Sequence, residues 1–130
     1  MVSFKYSICI FLLSVLVVCS YAQVDEEKSI TDEQLREEMK TNENLIILDV
    51  RNPYELSGPL GYIEGAINIP VQELETRIGE LDKYKEKDIR VICRSGRRSL
   101  IATNLLLARG FSAENILGGM KEYRASEVEK

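Results

Sequence analysis

The chain has 130 residues, of which 45% are apolar, and this allows one modest hydrophobic core but not two domains of ordinary size. Its net charge of −4 at pH 7 argues against nucleic acid as a partner, because such binding rests on neutralising phosphates with lysine and arginine. The chain has no histidine, so a catalytic Cys-His or Ser-His pair is excluded.

The first residues are typical of an export signal. Lys5 gives a basic start, residues 8–18 form a mostly apolar run, and residues 20–22 (SYA) fit a small-x-small cleavage site. An uncleaved membrane anchor is the alternative, but the run is about half of the roughly 20 residues that a spanning helix needs. We expect a cleaved signal over residues 1–22 and an exported protein, periplasmic or secreted, with no membrane attachment after cleavage.

Cleavage after Ala22 would remove Cys9 and Cys19 and leave Cys93 as the only cysteine. Proteins of oxidising compartments mostly use cysteines in pairs, so a single thiol there is expected to be reactive or to pair with another molecule. A buried and inert core thiol is the alternative interpretation.

The first half of the mature chain shows clear start signals for helices. Residues 23–28 are charged and predicted to be flexible, and one domain is predicted over residues 29–130. Thr31 can cap a helix in which Gln34 completes a capping box. An apolar strand follows at residues 45–50, and a short helix begins with Asn52 as cap and Pro53 at its first position.

Strands and helices continue to alternate in the second half, which predicts the α/β class. Gly96 lies in a loop that runs from Cys93 to Ser99. Strands are predicted at 66–69, 89–92 and 115–117, and helices at 71–81, 100–109 and 120–126.

Cys93 directly follows a predicted strand, at the edge where open α/β sheets bind ligands. The backbone N–H groups of the loop could converge on an anion, with Gly96 in a conformation that other residues resist. Five arginines and no acid lie between residues 89 and 113, which indicates a local anion site and a lowered pKa for the Cys93 thiol. A solvated basic edge with an ordinary turn is the alternative interpretation.

The chain resembles the rhodanese family over roughly residues 29–124. The motifs that carry the resemblance are residues 49–51 (DVR), 61–70 (GYIEGAINIP), the loop 93–99 (CRSGRRS) and 118–120 (GGM). Tyr62 departs from the His and Tyr123 from the Trp that the family often has at those positions. The resemblance implies a rhodanese-like open parallel sheet in a single domain, with helices on both faces.

The same resemblance implies a sulfurtransferase that works through a persulfide on Cys93. The donor would be a small anion, thiosulfate or a polysulfide, and the acceptor a small thiol, cyanide or a protein thiol, with no metal and no cofactor. Asp49 and Arg51 would support the loop, although a purely structural ion pair is equally compatible with the sequence. The residues expected to bind the substrate are Arg94, Ser95, Gly96, Arg97, Arg98 and Ser99.

Two other functions remain open at this point. A cysteine phosphatase or arsenate reductase would have arginine six residues after the cysteine, but that residue here is Ser99 and the last arginine of the loop is Arg98. A non-catalytic sulfur-carrier or binding module is also possible, because a fold does not establish an activity. The presence of Cys93 and of the arginine-rich loop argues against a purely structural role.

Overall fold

The computed structural model describes residues 28–128, and the predicted signal lies outside the described residues. Within this range no helix is both long and apolar enough to cross a membrane. The elements in chain order are β1 (Ser29–Ile30), α1 (Asp32–Thr41), β2 (Leu45–Asp49), α2 (Pro53–Leu56), β3 (Ile67–Asn68), α3 (Val71–Arg77), a 3-10 helix (Ile78–Tyr84), β4 (Asp88–Ile92), α4 (Arg97–Ala108), β5 (Ser112–Ile116) and α5 (Gly119–Val128).

The strands form one parallel sheet in the order β1-β5-β4-β2-β3. β4 is central, with β2 on one side and β5 on the other. Asp49, the last residue of β2, lies opposite Ile92, the last residue of β4. The segments that follow these two strands therefore meet at the same edge of the sheet.

Helices cover both faces of the sheet, as predicted. Leu48 and Val91 face one side, where they share a core with Leu74 of α3 and Leu106 of α4. Their neighbours in sequence, Ile47 and Ile92, face the other side and pack with residues of α1 and α5, among them Leu35, Met120 and Tyr123. This alternation explains why the strand at residues 45–50 is apolar throughout, since both of its faces are buried.

The predicted helix starts at Thr31 and Asn52 are confirmed. The Thr31 hydroxyl accepts a hydrogen bond from the Gln34 backbone N–H, and the Thr31 backbone N–H donates to the Gln34 side-chain oxygen, which completes the capping box. Asn52 caps α2, and its backbone N–H donates to Glu55 at 3.0 Å. Local side-chain chemistry is sufficient to place these two starts.

Several details differ from the prediction. Helix α4 begins at Arg97 rather than at residue 100, because Gly96 adopts a φ of +99° and its carbonyl accepts the first helical bond from Leu100. β3 has two residues instead of four. Strand β1 lies next to the segment predicted to be flexible, and two backbone hydrogen bonds hold it. The N–H of Asn115 in β5 donates to the carbonyl of Lys28, and the N–H of Leu117, directly after β5, donates to the carbonyl of Ile30.

A buried ion pair fixes the segment after β2. Arg51 Nη2 lies 2.7 Å from Asp49 Oδ2, and each side chain is 1% exposed. Arg51 also donates to the Gly61 carbonyl at 2.7 Å, and Asn68 donates to the carbonyls of Asp49 and Arg51. Arg51 therefore ties the end of β2 to the turn at Gly61, and Asn68 ties β3 to the backbone of the pair. The role of the pair in supporting the Cys93 loop stays a prediction.

We predict that Arg51→Ala lowers the free energy of unfolding by about 3–5 kcal/mol, because it leaves the Asp49 carboxylate buried without its partner. Urea unfolding followed by circular dichroism measures the loss. Arg77→Ala is the matched control, because Arg77 forms exposed pairs with Glu73 and Glu80 and its loss should cost less than about 1 kcal/mol. Equal losses in the two variants would contradict the assigned role of the buried pair.

Candidate active site

Cys93 lies immediately after β4 and is 1% exposed. The backbone around it is fixed by the start of α5, where the N–H of Met120 donates to the Cys93 carbonyl at 2.8 Å and the N–H of Lys121 to the Arg94 carbonyl at 3.1 Å. The sulfur is therefore held at the carboxyl edge of the central strand by bonds from a distant part of the chain.

The sulfur of Cys93 is surrounded by hydrogen-bond donors. The Gly96 N–H lies 3.1 Å and the Ser99 hydroxyl 3.2 Å from Sγ. Burial by itself raises the pKa of this thiol, because it penalises the charged form. The Ser99 hydroxyl and the backbone N–H groups of Ser99, Gly96 and Ser95 outweigh burial, so the pKa lies below its usual value. The predicted lowering of the pKa thus has a geometric cause.

Two glycines allow this close packing. Gly96 has a φ of +99°, in the left-handed region that favours glycine, and this conformation aims its N–H at the sulfur. A Cβ on Gly119 would lie 2.5 Å from the Cys93 carbonyl oxygen and 2.7 Å from the Arg94 carbonyl carbon. Only glycine at position 119 leaves room for the bonds that α5 makes to the backbone of Cys93 and Arg94.

The arginines predicted to form an anion site separate into two groups. Three have carboxylate partners: Arg90 pairs with Glu38 and Glu114, Arg98 with Glu55, and Arg109 with Glu75. Arg94 and Arg97 are exposed, and within residues 28–128 neither has a carboxylate partner. These two guanidinium groups are the ones available to an incoming anion at the Cys93 loop.

Arg98 is held beside the sulfur by a contact that the sequence did not predict. Its two terminal nitrogens lie 2.7 and 2.8 Å from the Glu55 carboxylate, which comes from α2 after the neighbouring strand. The hydrogen bonds from Arg98 lower the pKa of Glu55 to about 2, although burial opposes them. The Cys93 thiolate acts on Arg98 electrostatically, so this fixed cation lies within the field of the sulfur.

Two polar residues of the site were missed by the sequence prediction, Glu55 and Asn115. Glu55 is the third residue of α2, a common position for a capping acid, but nothing local indicates that it pairs with Arg98, which is 43 residues away. Asn115 is 3% exposed in β5, and its Oδ1 accepts from the Ser99 hydroxyl at 2.6 Å. The signal in the sequence that could have indicated Asn115 was a single amide side chain in a buried strand.

No metal-binding cluster of three or more His, Cys, Asp or Glu side chains occurs in the described part of the chain.

Comparisons with known proteins agree with the predicted fold. A family model described as a rhodanese-like domain matches residues 31–126. The crystal structure of a rhodanese-related protein from Thermoplasma volcanium superimposes with a TM-score of 0.68 at 33% identity, covering 76% of this chain and 92% of that chain. The predicted rhodanese-like α/β fold is confirmed.

Two curated relatives carry functional descriptions. YrkF of Bacillus subtilis (strain 168), provisionally described as a sulfur carrier protein, is 36% identical over 92 residues, and the match covers 70% of this chain and 48% of that protein. The thiosulfate sulfurtransferase PspE of Escherichia coli (strain K12) is 32% identical over 81 residues, covering 62% of this chain and 76% of that protein. The match thus spans about half the length of the first relative and three quarters of the second.

We predict that Ser99→Ala raises the pKa of Cys93, since it removes the hydroxyl that lies 3.2 Å from the sulfur. The rate of iodoacetamide alkylation is measured against pH, with the Cys93 peptide followed by mass spectrometry. Ser95→Ala is the matched control, because Ser95 stabilises the thiolate through its backbone N–H, which alanine retains. An unchanged midpoint in Ser99→Ala would show that the hydroxyl does not act on the sulfur.

Proposed function

Because this chain belongs to the rhodanese-like family, whose relatives include named sulfurtransferases, we propose that it moves a sulfane sulfur from a small anionic donor to a thiophilic acceptor through a persulfide on Cys93. The observation that carries the proposal is the Cys93 sulfur itself, which is held among N–H and O–H donors at the edge of the sheet. The same loop carries Arg94 and Arg97, which are exposed and have no carboxylate partner within residues 28–128. Thiosulfate and polysulfides are the proposed donors.

In the first step the Cys93 thiolate attacks the outer sulfur of thiosulfate. A sulfur–sulfur bond forms to Cys93, the original sulfur–sulfur bond breaks, and sulfite leaves with the electron pair. In the second step a thiolate or cyanide attacks the outer sulfur of the persulfide and returns the Cys93 thiolate. Sulfite is a stable anion and needs no proton to leave, so the absence of histidine is no obstacle.

The loop residues have separate roles in this proposal. The backbone N–H groups of Ser95 and Gly96, together with Ser99, stabilise the charge on the sulfur. Arg94 and Arg97 attract and orient the sulfonate of the donor through charge-assisted hydrogen bonds. Arg98, whose terminal nitrogens are engaged by Glu55, contributes a fixed positive charge rather than a direct contact with the substrate.

The geometry of Ser99, six residues after Cys93, favours sulfur transfer over phosphate chemistry. Ser99 is fully buried and its hydroxyl lies against the sulfur, so the position where phosphatases have arginine holds no cation. Arg98, one residue earlier, is turned toward Glu55. A phosphate with three charged oxygens would therefore lack the guanidinium that such enzymes use.

A sulfur-carrier role is the second candidate, and the description of YrkF favours it. A carrier would use the same persulfide but hand it to a specific protein partner. The two roles differ in turnover, because an enzyme passes the sulfur on to small acceptors repeatedly.

We further propose that the protein is exported, on the strength of Lys5, the apolar run and the cleavage motif in residues 1–22.

Treating the protein with thiosulfate and then removing the donor should add one sulfur atom to Cys93, about 32 Da by atomic mass, which cyanide or a small thiol then removes. Intact-mass and peptide mass spectrometry measure the addition, and Cys93→Ser is the control that should gain nothing. Loading followed by repeated turnover with cyanide supports the enzyme, whereas loading without turnover supports the carrier. If neither thiosulfate nor polysulfide leaves an acceptor-sensitive sulfur on Cys93, the proposal is wrong.

Arg94→Ala and Arg97→Ala should each weaken the use of thiosulfate by about 1–3 kcal/mol in kcat/KM, the usual scale of a charge-assisted hydrogen bond. Steady-state sulfite release measures the effect. Arg77→Ala, which removes a distant exposed arginine, should leave the kinetics unchanged. Unchanged kinetics in both loop variants would mean that these arginines are only a solvated basic edge.

A further inference from the structure

The Ser99 hydroxyl has one hydrogen and two acceptors. Asn115 Oδ1 lies 2.6 Å from Ser99 Oγ, and Cys93 Sγ lies 3.2 Å from it. Ser99 is 0% exposed and Asn115 is 3% exposed, so the contact between these two side chains is shielded from bulk water. A hydroxyl donates a single hydrogen bond, and the 2.6 Å contact to the amide is at the short end of the range for an O–H···O bond, which directs the hydrogen toward Asn115.

Asn115 also contacts the strand on its other side. Its Nδ2 donates to Ser29 Oγ at 3.2 Å, which leaves Oδ1 facing Ser99. β5 lies between β1 and β4. Asn115 therefore connects Ser29 of β1 with Ser99, which contacts the sulfur of Cys93 directly after β4. A continuous polar chain therefore crosses three strands and ends at Cys93.

We propose that Asn115 is a positioning residue that draws the Ser99 hydrogen away from Cys93 and so limits how strongly Ser99 stabilises the thiolate. This inference rests on the proposed function of Cys93 as the nucleophile. Its value for the reaction follows from thiolate chemistry, because the nucleophilicity of a thiolate falls as its pKa falls. A sulfur that received the full Ser99 hydrogen bond would be ionised more completely but would attack the donor more slowly.

The charges near Cys93 do not account for this role. Glu114, next to Asn115, pairs with Arg90, whereas Asn115 contacts Ser99 of α4. From α5, Glu122 lies against Gly118 rather than against the sulfur. Among the described residues, the other charged groups on or next to the Cys93 loop are Arg94, Arg97, Arg98 and Lys121 of α5. Glu55 and Tyr54 act on Arg98.

The test compares two substitutions of similar size that act in opposite directions. Asn115→Leu removes the competing acceptor, so Ser99 should donate to the sulfur and the midpoint of Cys93 alkylation should move to lower pH. Below the midpoint, the alkylation rate relative to its own plateau should rise roughly 3- to 10-fold, since one pKa unit changes the thiolate fraction tenfold. Asn115→Asp retains an acceptor and adds a negative charge, so its relative rate should fall.

Both substitutions are repeated in the Ser99→Ala background, on the full chain and with the Cys93 peptide followed by mass spectrometry. If Asn115 acts through Ser99, Asn115→Leu should change the midpoint by less than about a third of its effect in the wild-type background, as expected for residues coupled through one hydrogen bond. The part of the Asn115→Asp effect that persists there reports its charge alone. Asn115→Val replaces Asn115→Leu if urea unfolding shows that the leucine variant does not fold.

An equal shift from Asn115→Leu in both backgrounds, or no shift in either, would overturn the inference and leave Asn115 as a structural amide. The readout is the ionisation of a thiol and not sulfur transfer. If the alkylation experiment gives a negative result, the proposed sulfur transfer is not affected. If no persulfide forms on Cys93, the effect of Asn115 on the thiol pKa can still be measured by alkylation.

Discussion

A thiolate buried at the end of β4 can exist only if hydrogen-bond donors replace the water it has lost. Burial alone would keep Cys93 protonated, and the chain has no histidine to take its proton. The donors come from the loop and the first turn of α4, whose direction depends on the left-handed conformation of Gly96. That loop is in turn fixed by α5, which approaches it through Gly119. The central position of β4 brings these parts together.

The five arginines between residues 89 and 113 fall into a group that is paired with carboxylates and a group that is exposed to solvent. Arg90, Arg98 and Arg109 join neighbouring elements through carboxylates, and Arg98 does so beside the sulfur. Arg94 and Arg97 belong to the loop and are exposed. A cluster that is uniform in composition therefore provides both fixed supports for the fold and free cations that could meet an anion.

The features that the sequence predicts correctly are those with local causes. The Thr31 cap, the apolar strand at residues 45–50 and the position of Cys93 after a strand depend on side chains a few residues apart. The start of α4 was placed too late, because the polar residues 97–99 resemble a loop, although the carbonyl of Gly96 already accepts the first helical bond. The contacts of Arg98 with Glu55 and of Ser99 with Asn115 join segments far apart in sequence, and only the packing of the sheet brings them together.

The ion pair between Arg98 and Glu55 has a consequence for acidic surroundings. The carboxylate is held well below its usual pKa, so its contribution to stability is present above the unfolded value and is lost only as the pH falls through about 2. Arg98 therefore keeps its carboxylate partner throughout neutral and mildly acidic media. The position of this fixed charge next to the Cys93 loop is thus insensitive to pH over the range in which most proteins work.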